Sequence, residues 1–394
     1  MLAIDGGRPV RPKDRFIIFG APCIGEEEIS EVVDSMRKRW IGTGPKVARF
    51  EEVFRELKGR RHAIAVNSCT AALHLAILAL GIRQGDEVIT TPMTFCATVN
   101  AIIHAGGIPV LADCETDTMN ISPEEIEKKI TRKTKAILVV HFAGRPCDMD
   151  AIMELARRYD LYVIEDCAHA IEASYKGIQA GCFGDVGCFS FYVTKNITTG
   201  EGGVIITDND RIAERVKMLA LHGMSKDAWL RFSDQGYRHY EVIHAGFKYN
   251  MMDLQAAIGL HQLEKLQIFR KRRREIWDYY NDRFADLPVF LPPKPEPETE
   301  HAYHLYTPLI DTDRFGKTRD WVLNALTAEN VGCGVHYLPI HYHSFYKKNL
   351  GLKMGDFPAA EWIGNRTISL PLSGCLTDDE VEDVVKAFRK VLTG

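Results

Sequence analysis

The chain has 394 residues, 46% of them hydrophobic, which is the composition of a globular protein with more than one hydrophobic core. Its 49 basic and 53 acidic residues leave a formal net charge of -4, so no basic excess points to a nucleic-acid partner. No apolar run reaches the ~18 residues that a membrane span needs, and the first residues do not resemble a secretion signal. We therefore expect a cytoplasmic protein without nucleic-acid or membrane partners.

The number and spacing of the cysteines agree with a cytoplasmic location. The ten cysteines are scattered and form no C-x-x-C pair. This pattern predicts reduced thiols rather than a disulfide framework, and it predicts no zinc or other metal site.

From about residue 60 to residue 210, short apolar runs alternate with helical patterns. The apolar runs include HAIAVNS, DEVITTP, KAILVVHF and LYVIEDC, and the helical patterns between them include TAALHLAILAL, FCATVNAIIHA and MDAIMELARRY. Continuous Val/Ile runs with helices between them predict an α/β domain with a mainly parallel sheet covered on both faces. In such a sheet, ligands bind at the carboxyl ends of the strands.

The rest of the chain indicates a connecting helix and a second domain. Residues 253–284 have apolar residues at helical spacing, with the basic run KRRR at 271–274 on a predicted solvated face. The Pro-rich stretch 288–300 has the composition of a linker. We expect a large domain over residues 1–252, a long connecting helix over 253–287 and a small C-terminal α+β domain over 288–394.

Three stretches at predicted strand ends carry polar groups that a cofactor could use. NSCTAALHLA, 67–76, places hydroxyls and unpaired amide groups at a helix start, which suits an anion. Taken alone, this stretch favours an ordinary N-cap at Ser68 or Thr70. LYVIEDCAHA, 161–170, contains a strand that ends in Glu165-Asp166, with His169 three residues later. Asp166 could pair with a cationic ring nitrogen or simply cap a helix, and His169 could be an ordinary core histidine.

The third stretch is FSFYVTKNITTGEGG, 189–203, where Lys195 lies between an apolar strand and a Gly-rich turn. A desolvated lysine has a lowered pKa and can act as a nucleophile toward an aldehyde. Alone, it would be an ordinary strand-end lysine. The three stretches together supply a phosphate cup, a pyridinium partner and an aldehyde trap, which are the requirements of pyridoxal phosphate.

The chain resembles the DegT-type (DegT/DnrJ/EryC/StrS) nucleotide-sugar aminotransferases, a family of fold type I pyridoxal-phosphate enzymes. The resemblance covers nearly the whole chain. It is carried by the stretches above and by GTGPKVARFEE (42–52), GDEVITTPMTFCATVNAIIHAGGIPVLAD (85–113), HFAGRPCDMDAI (141–152), HGMSKDAW (222–229) and SLPL (369–372).

The resemblance implies a role for each matching cofactor-site residue. Lys195 would bind the cofactor covalently and move protons, and Asp166 would keep the pyridine nitrogen protonated. The other implied contacts are Thr70, Ala71 and Ser190 to the phosphate, Phe95 stacked on the ring with a core position as the alternative, and His169 near the ring oxygen.

One motif departs from the pattern of many relatives, which have Gly-aromatic-Asn-aromatic-Arg. This chain has Gly246-Phe247-Lys248-Tyr249-Asn250, the form of a subset acting at sugar C4. In relatives the motif reaches the phosphate of the neighbouring subunit, which implies a homodimer and assigns the contact to Lys248 or Asn250.

The implied reaction moves an amino group from L-glutamate to a keto group, at C4, of a nucleotide-linked sugar. The implied pathways are amino-sugar, polysaccharide or lipopolysaccharide biosynthesis. For the sugar nucleotide, Arg231, His336 and Tyr337 are candidate contacts, with Arg238 as a further cation; the charged ones could equally be surface groups.

Other functions remain as alternatives. A C3 aminotransferase differs only in the carbon that is aminated. A sugar dehydratase of this family has histidine at the lysine position, which Lys195 argues against, and a non-enzymatic regulatory member would not need Lys195, Asp166 and Ser190. A nicotinamide enzyme is disfavoured because NSCTAA stands where G-x-G-x-x-G would be required.

Overall fold

A computed structural model describes residues 1–225 and 240–394. The helices of these residues are α1 Glu26–Lys38, α2 Pro45–Lys58, α3 Cys69–Ala79, α4 Cys96–His104, α5 Pro123–Lys129, α6 Met149–Tyr159, α7 Asp210–Ala220, α8 Asp253–Glu264, α9 Leu266–Phe284, α10 Thr312–Phe315, α11 Arg319–Ala328, α12 Ser344–Leu350, α13 Pro358–Gly364 and α14 Asp378–Thr393. Short 3-10 helices cover Ala3–Asp5, Lys13–Arg15, Phe142–Gly144 and Ile340–Tyr342.

The strands are β1 His62–Val66, β2 Glu87–Thr90, β3 Ile108–Leu111, β4 Thr134–Val140, β5 Tyr162–Asp166, β6 Ser174–Tyr175, β7 Ile178–Gln179, β8 Val186–Ser190, β9 Gly203–Thr207, β10 Val289–Phe290, β11 Thr299–Glu300 and β12 Leu309–Ile310. A seven-stranded sheet in the order β1-β9-β8-β5-β4-β2-β3 forms the centre of the fold. Only β9 runs antiparallel to its neighbours in this sheet. The mainly parallel α/β fold predicted from the apolar runs is confirmed.

The sheet is buried on both faces because its strands are apolar throughout. Ile64, Leu138 and Ile205 on one face, and Val139 and Ile206 on the other, are all at most 3% exposed. Helices α3 and α7 cover one face, and α6 packs in a separate cluster on the strands from β2 to β5. Since the strands other than β9 point the same way, the polar residues at their carboxyl ends meet along one edge of the sheet.

The segment expected to form one long helix holds two, α8 and α9, which meet at Lys265. The core contacts change along this segment. Ala256 and Leu263 pack with residues of the sheet side, whereas Trp277 and Phe284 belong to a cluster with C-terminal residues. The basic run is not entirely solvated either: Arg273 is 2% exposed and pairs with the carboxylate of Glu172.

The hydrophobic cluster formed by C-terminal residues also includes residues from the start of the chain. Ile17 forms a parallel bridge with Val331 and is buried against this cluster. Arg11 donates a 2.8 Å hydrogen bond to Asp383 on α14. The first residues therefore pack on the C-terminal part of the chain, although they precede the central sheet in sequence.

A disulfide joins Cys23 to Cys375, with 5.8 Å between their Cα atoms. The expectation that every cysteine is a free thiol is therefore wrong for this pair. The two residues are 352 positions apart, and only the packing of the N-terminal segment on the C-terminal part brings them together. The other eight cysteines are free.

The helices were compared with the requirements of a membrane span. None of the described helices combines the length and the apolar character that a crossing requires.

Candidate active site

The candidate site lies where β1, β5 and β8 end. Asp166 is the last residue of β5 and Ser190 the last of β8, and these strands pair in parallel with Asp166 opposite Cys188. Helix α3 starts directly after β1, with Ser68 as its N-cap. The three stretches selected from the sequence are thus carried by neighbouring elements at one edge of the sheet.

Asp166 is a buried carboxylate with two hydrogen-bond donors. Thr98 Oγ1 donates to Oδ2 at 2.9 Å, and the amide of Ala168 donates to Oδ1 at 3.1 Å. Burial raises the pKa of Asp166, while these two hydrogen bonds and the nearby charge of Lys195 oppose the increase. A cationic ring nitrogen at this carboxylate would favour its ionised form in the same way.

Lys195 lies in the turn after β8, where its amide donates to the carbonyl of Tyr192 at 2.9 Å. Burial lowers the pKa of its ammonium to about 8, although the charge of Asp166 works in the opposite direction. At neutral pH a useful fraction of the amine is therefore unprotonated, as a nucleophile or a base requires. The strand itself ends earlier than FSFYV suggested, since Ser190 is its last residue while Phe189 and Phe191 are fully buried.

The Gly-rich turn after Lys195 approaches the start of α3 closely. A Cβ atom at Gly203 would lie 2.6 Å from the carbonyl of Ser68, so only glycine fits there. The close packing of these two backbones joins the lysine turn to the predicted anion site.

The start of α3 is capped and still has donors for an anion. Ser68 Oγ accepts from the amide of Ala71 at 3.1 Å, so Ser68 is the N-cap and the amide of Ala71 is engaged within the helix. The amides of Cys69 and Thr70 come first in the helix and have no intrahelical acceptor. Ser190 Oγ accepts weakly from the amide of Tyr192 at 3.4 Å.

An aromatic wall stands beside the strand ends. Phe95 is 57% exposed, so it is not a core residue, and its ring lies 6.2 Å from that of Tyr337. The Tyr337 hydroxyl is 3.1 Å from Nε2 of His169, and the two rings are nearly parallel. Burial lowers the pKa of His169 well below its ordinary value, which keeps this imidazole neutral.

His336 lies next to this wall but cannot be a cation at neutral pH. Its Nδ1 is 2.7 Å from Ser369 Oγ, and its ring is 5.6 Å from that of Phe19. Burial and the charge of Lys195 lower its pKa to about 3. A neutral imidazole at this position would offer hydrogen bonds, rather than positive charge, to a sugar nucleotide. Arg231 and Arg238 lie outside the described residues.

The Gly246–Asn250 segment runs beside the end of β1. Asn250 bridges Val66, and the amide of Asn67 donates to the carbonyl of Tyr249 at 2.7 Å. Asn250 Nδ2 donates to Thr43, whereas its buried Oδ1 has no partner among the described residues. Lys248 is exposed.

Other residues of the site were not anticipated from the sequence. Thr98, which orients Asp166, lies within TTPMTFCATVN, where nothing marks one threonine above the others. Glu165 was seen only as a neighbour of Asp166. It accepts from the amides of Gly181, Phe183 and Gly184 at 2.7 to 2.8 Å.

A buried group of His141, Glu165 and Cys167 has ligand atoms within 4.8 Å of one another. Its hydrogen bonds explain it without an ion. His141 Nδ1 accepts from the amide of Cys147 at 3.1 Å, so Nε2 carries the proton that it donates to Glu165 at 3.0 Å. With three amides already on the carboxylate, Glu165 holds the 181–184 turn against β5.

The chemistry of these residues fits pyridoxal phosphate. A lysine with a lowered pKa can hold an aldehyde, a buried carboxylate can hold a ring cation, and the first amides of α3 can hold a phosphate. The exposed ring of Phe95 offers a surface for stacking.

Comparisons with known proteins agree with this chemistry. Residues 22–389 match the DegT/DnrJ/EryC1/StrS aminotransferase family. The spore coat polysaccharide biosynthesis protein SpsC of Bacillus subtilis is 47% identical over 98% of this chain and 99% of its own. Spr1654 of Streptococcus pneumoniae, solved in PLP and PMP forms, superposes in its PMP form with a TM-score of 0.89, at 32% identity over 95% of this chain and 98% of its own.

DesI, solved in the presence of its TDP-sugar product, superposes with a TM-score of 0.88 at 30% identity over 100% of this chain and 96% of its own. The family match and the SpsC similarity each extend over almost the whole chain. The chain therefore belongs to the DegT/DnrJ/EryC1/StrS aminotransferase family, and its cofactor is pyridoxal phosphate.

Proposed function

We propose that this protein transfers the amino group of L-glutamate to the C4 keto group of a nucleotide-linked sugar. The observation that carries the proposal is that the low-pKa amine of Lys195 and the buried carboxylate of Asp166 lie at one sheet edge, close enough for each charge to affect the pKa of the other. When bound, pyridoxal phosphate supplies the carbon that carries the amino group and a ring that takes up electrons.

Lys195 and Asp166 have different tasks in this reaction. In its neutral form, Nζ of Lys195 removes the proton from Cα of glutamate, and in the second half-reaction it delivers a proton to C4 of the sugar. Asp166 keeps the ring nitrogen protonated, and Thr98 holds the carboxylate in place for that contact. Low exposure of both groups strengthens their electrostatic interactions.

Other residues would bind the cofactor and fix its orientation. Thr70 and Ser190 would hold the phosphate at the start of α3 and the end of β8, with Ala71, whose amide is engaged by Ser68, beside them. The exposed ring of Phe95 would stack on the cofactor. His169, held by Tyr337, would lie near the ring oxygen of the bound cofactor.

For the sugar, His336 and Tyr337 provide neutral hydrogen-bonding groups. Arg231 is the candidate cation for the diphosphate. The Gly246–Asn250 form resembles that of relatives that act at C4, which supports C4 over C3.

We further propose a homodimer in which Lys248 or Asn250 reaches the phosphate of the neighbouring subunit. An exposed apolar surface next to this segment supports the proposal: Trp40, Ile41 and Met252 are 52%, 55% and 44% exposed. The amide of Asp253 donates to the carbonyl of Gly42 at 2.7 Å, which ties the loop after α1 to the start of α8. Isolated exposed apolar residues are common, but a contiguous group favours an interface.

The name of SpsC refers to polysaccharide biosynthesis, and DesI was solved with a TDP-sugar. They support a nucleotide-sugar substrate in amino-sugar or polysaccharide biosynthesis. Lipopolysaccharide as one destination and the cytoplasm as the location are part of the proposal.

The test is a panel of UDP-, dTDP- and GDP-linked 4-keto and 3-keto sugars, incubated with glutamate and the loaded protein and analysed by mass spectrometry. We expect an amino sugar from a 4-keto substrate and none with Lys195→Ala. Amination of 3-keto sugars alone would contradict the C4 assignment, and a dehydrated product would contradict amino transfer.

A further inference from the structure

The tautomer of His169 is fixed by a backbone amide. The amide of Ala143 donates to Nδ1 of His169 at 3.3 Å, so this nitrogen accepts and carries no proton. Burial and the charge of Lys195 lower the pKa of His169 well below its ordinary value, so the ring is neutral. A neutral imidazole holds one proton, and in His169 that proton is therefore on Nε2.

The direction of the hydrogen bond between His169 and Tyr337 follows from this tautomer. Nε2 of His169 lies 3.1 Å from the Tyr337 hydroxyl and, because it carries the proton, it donates to the phenol oxygen. Burial and the charge of Asp166 raise the pKa of Tyr337, so the phenol keeps its own hydrogen. That hydrogen has no acceptor among residues 1–225 and 240–394. A buried hydroxyl that accepts but does not donate is available to a bound group.

The Tyr337 hydroxyl lies at the place proposed for the cofactor ring. The ring of Tyr337 is 6.2 Å from that of Phe95, the proposed stacking surface, and 6.1 Å from the nearly parallel ring of His169. The hydroxyl is also close enough to Asp166 for this carboxylate to affect its pKa. It therefore borders the space that the cofactor ring would occupy.

The ring oxygen of pyridoxal phosphate requires a donor in this space. When a lysine nitrogen holds the cofactor, this oxygen carries negative charge, and a hydrogen bond to a charged acceptor is stronger than one to a neutral acceptor. His169 cannot supply the hydrogen, because its single proton is already donated to Tyr337. Tyr337 is the member of this pair that still has a hydrogen to donate.

We infer that the hydroxyl of Tyr337 donates to the ring oxygen of pyridoxal phosphate, and that His169 is a positioning residue that holds Tyr337 in the donating orientation. The inference rests on the cofactor placement in the proposed function. The hydrogen bonds run from the amide of Ala143 through His169 to Tyr337 and end at the cofactor. The hydrogen of Tyr337 is thereby assigned to the cofactor, and its oxygen is the atom left for a sugar hydroxyl.

The direction of the His169–Tyr337 hydrogen bond is tested on full-length protein stripped of cofactor. With ¹⁵N-histidine labelling, two-bond ¹H–¹⁵N NMR distinguishes the tautomers, and the signals of His169 are assigned by their loss in His169→Gln. We expect Nε2-protonated His169 in the wild type and in Tyr337→Phe alike, because the amide of Ala143 sets the tautomer. Nδ1-protonated His169 in the wild type overturns the inference, since Nε2 would then take the hydrogen of Tyr337.

The contact with the cofactor is tested by the absorbance of the loaded protein without any substrate. The nitrogen of Lys195 and the ring oxygen share a proton in this state, and a donor to the oxygen weakens their hold on it. Tyr337→Phe should therefore raise the pH midpoint of the absorbance change by about one to two units, the effect of one hydrogen bond to a charged group. An unchanged midpoint overturns the contact.

The other ionisable groups around this pair keep one charge state near neutral pH. Burial lowers the pKa of His304 well below its ordinary value and that of His336 to about 3, and it raises the pKa of Cys96. Asp166 would be held ionised by the ring nitrogen. An absorbance change near neutral pH therefore reports the proton of the bound cofactor.

Three further variants separate positioning from structure. His169→Gln can accept from Ala143 through its oxygen and donate to Tyr337 through its NH₂ group, so its midpoint should stay near the wild-type value. His169→Leu retains neither bond and should raise the midpoint, as Tyr337→Phe does; a wild-type midpoint in this variant overturns the positioning role. Tyr306→Phe, which removes a buried hydroxyl that donates to Asn281 at 2.9 Å, is the matched control and should leave the midpoint unchanged.

Neither measurement uses glutamate or a sugar. Failure of the transamination assays would therefore refute the proposed donor or substrate, while the NMR and absorbance results decide this inference separately. If Tyr337→Phe keeps the wild-type midpoint and only weakens binding of the sugar, the hydroxyl serves the substrate and the inference is wrong.

Discussion

The hydroxyl of Thr98 on α4 donates a 2.9 Å hydrogen bond to Oδ2 of Asp166 at the end of β5. The bond fixes the carboxylate on the side opposite the amide of Ala168, which donates to Oδ1. Two donors from different elements thus hold a buried charge in one orientation. A carboxylate held in this way is preorganised to receive a cationic ring nitrogen.

Asp166→Asn should lower the transamination rate by ~10²–10³-fold, because the neutral amide no longer stabilises a ring cation. Thr98→Val is a milder change for comparison, because it leaves the carboxylate of Asp166 in place. It removes one hydrogen bond worth about 1 kcal/mol and should cost no more than about tenfold. Steady-state rates with glutamate check both variants, and equal losses would show that Asp166 acts through the fold rather than through its charge.

Lys195→Ala should abolish both covalent attachment of the cofactor and amino transfer, because the variant has no amine at this position. Borohydride reduction followed by intact-protein mass spectrometry measures the attachment. Lys271→Ala, which changes an exposed lysine (81% of the side chain) on α9, should behave as the wild type. A Lys195→Ala protein with near wild-type turnover would refute the proposed mechanism.

Capture of pyridoxal phosphate by stripped protein should depend on pH through Lys195. Its pKa is lowered from 10.5 to about 8, so the reactive neutral amine is half-populated near pH 8 and roughly a tenth at pH 7. The capture rate should rise about tenfold per pH unit below pH 8 and level off above it. Stopped-flow absorbance at several pH values measures this, and a rate that keeps rising to pH 10 would indicate an ordinary lysine.

The Cys23–Cys375 disulfide predicts a thiol count. Unfolded protein without reductant should show eight free thiols in a colorimetric titration and ten after reduction. The bond closes a very long loop, so its loss should lower the free energy of unfolding by about 2–4 kcal/mol. Denaturant unfolding of Cys23→Ser, compared with the oxidised wild type, measures this effect, and the reduced wild type is the control that should resemble the variant. Ten thiols before reduction would contradict the pairing.

Mixed subunits can test the proposed contribution of Lys248 in trans. Lys195→Ala and Lys248→Ala are each expected to be impaired, but a mixed dimer has one site with both lysines intact. Random reassortment should restore roughly a quarter of wild-type activity. Light scattering checks the oligomer: an active monomer with full cofactor occupancy would contradict the dimer, and no recovery on mixing would assign Lys248 to its own subunit.

The alternation of apolar runs and helical patterns was sufficient to predict the parallel sheet, because strands buried on both faces must be continuously apolar. The same pattern located the ends of β5 and β8 near Asp166 and Ser190, with Lys195 in the turn that follows β8. These residues are close in space because parallel strands end at the same edge of a sheet, a relationship that follows from local sequence and sheet topology alone.

The tertiary structure alone decided contacts between residues that are distant in sequence. No local pattern distinguishes Thr98 from nearby threonines, pairs Cys23 with Cys375, or shows that Arg273 in a basic run is buried against Glu172. The neutral state of His336 also depends on burial and on the charge of Lys195. Local periodicity specifies which face of an element is buried, whereas hydrogen-bond partners and pKa values depend on which distant groups the packing places around each side chain.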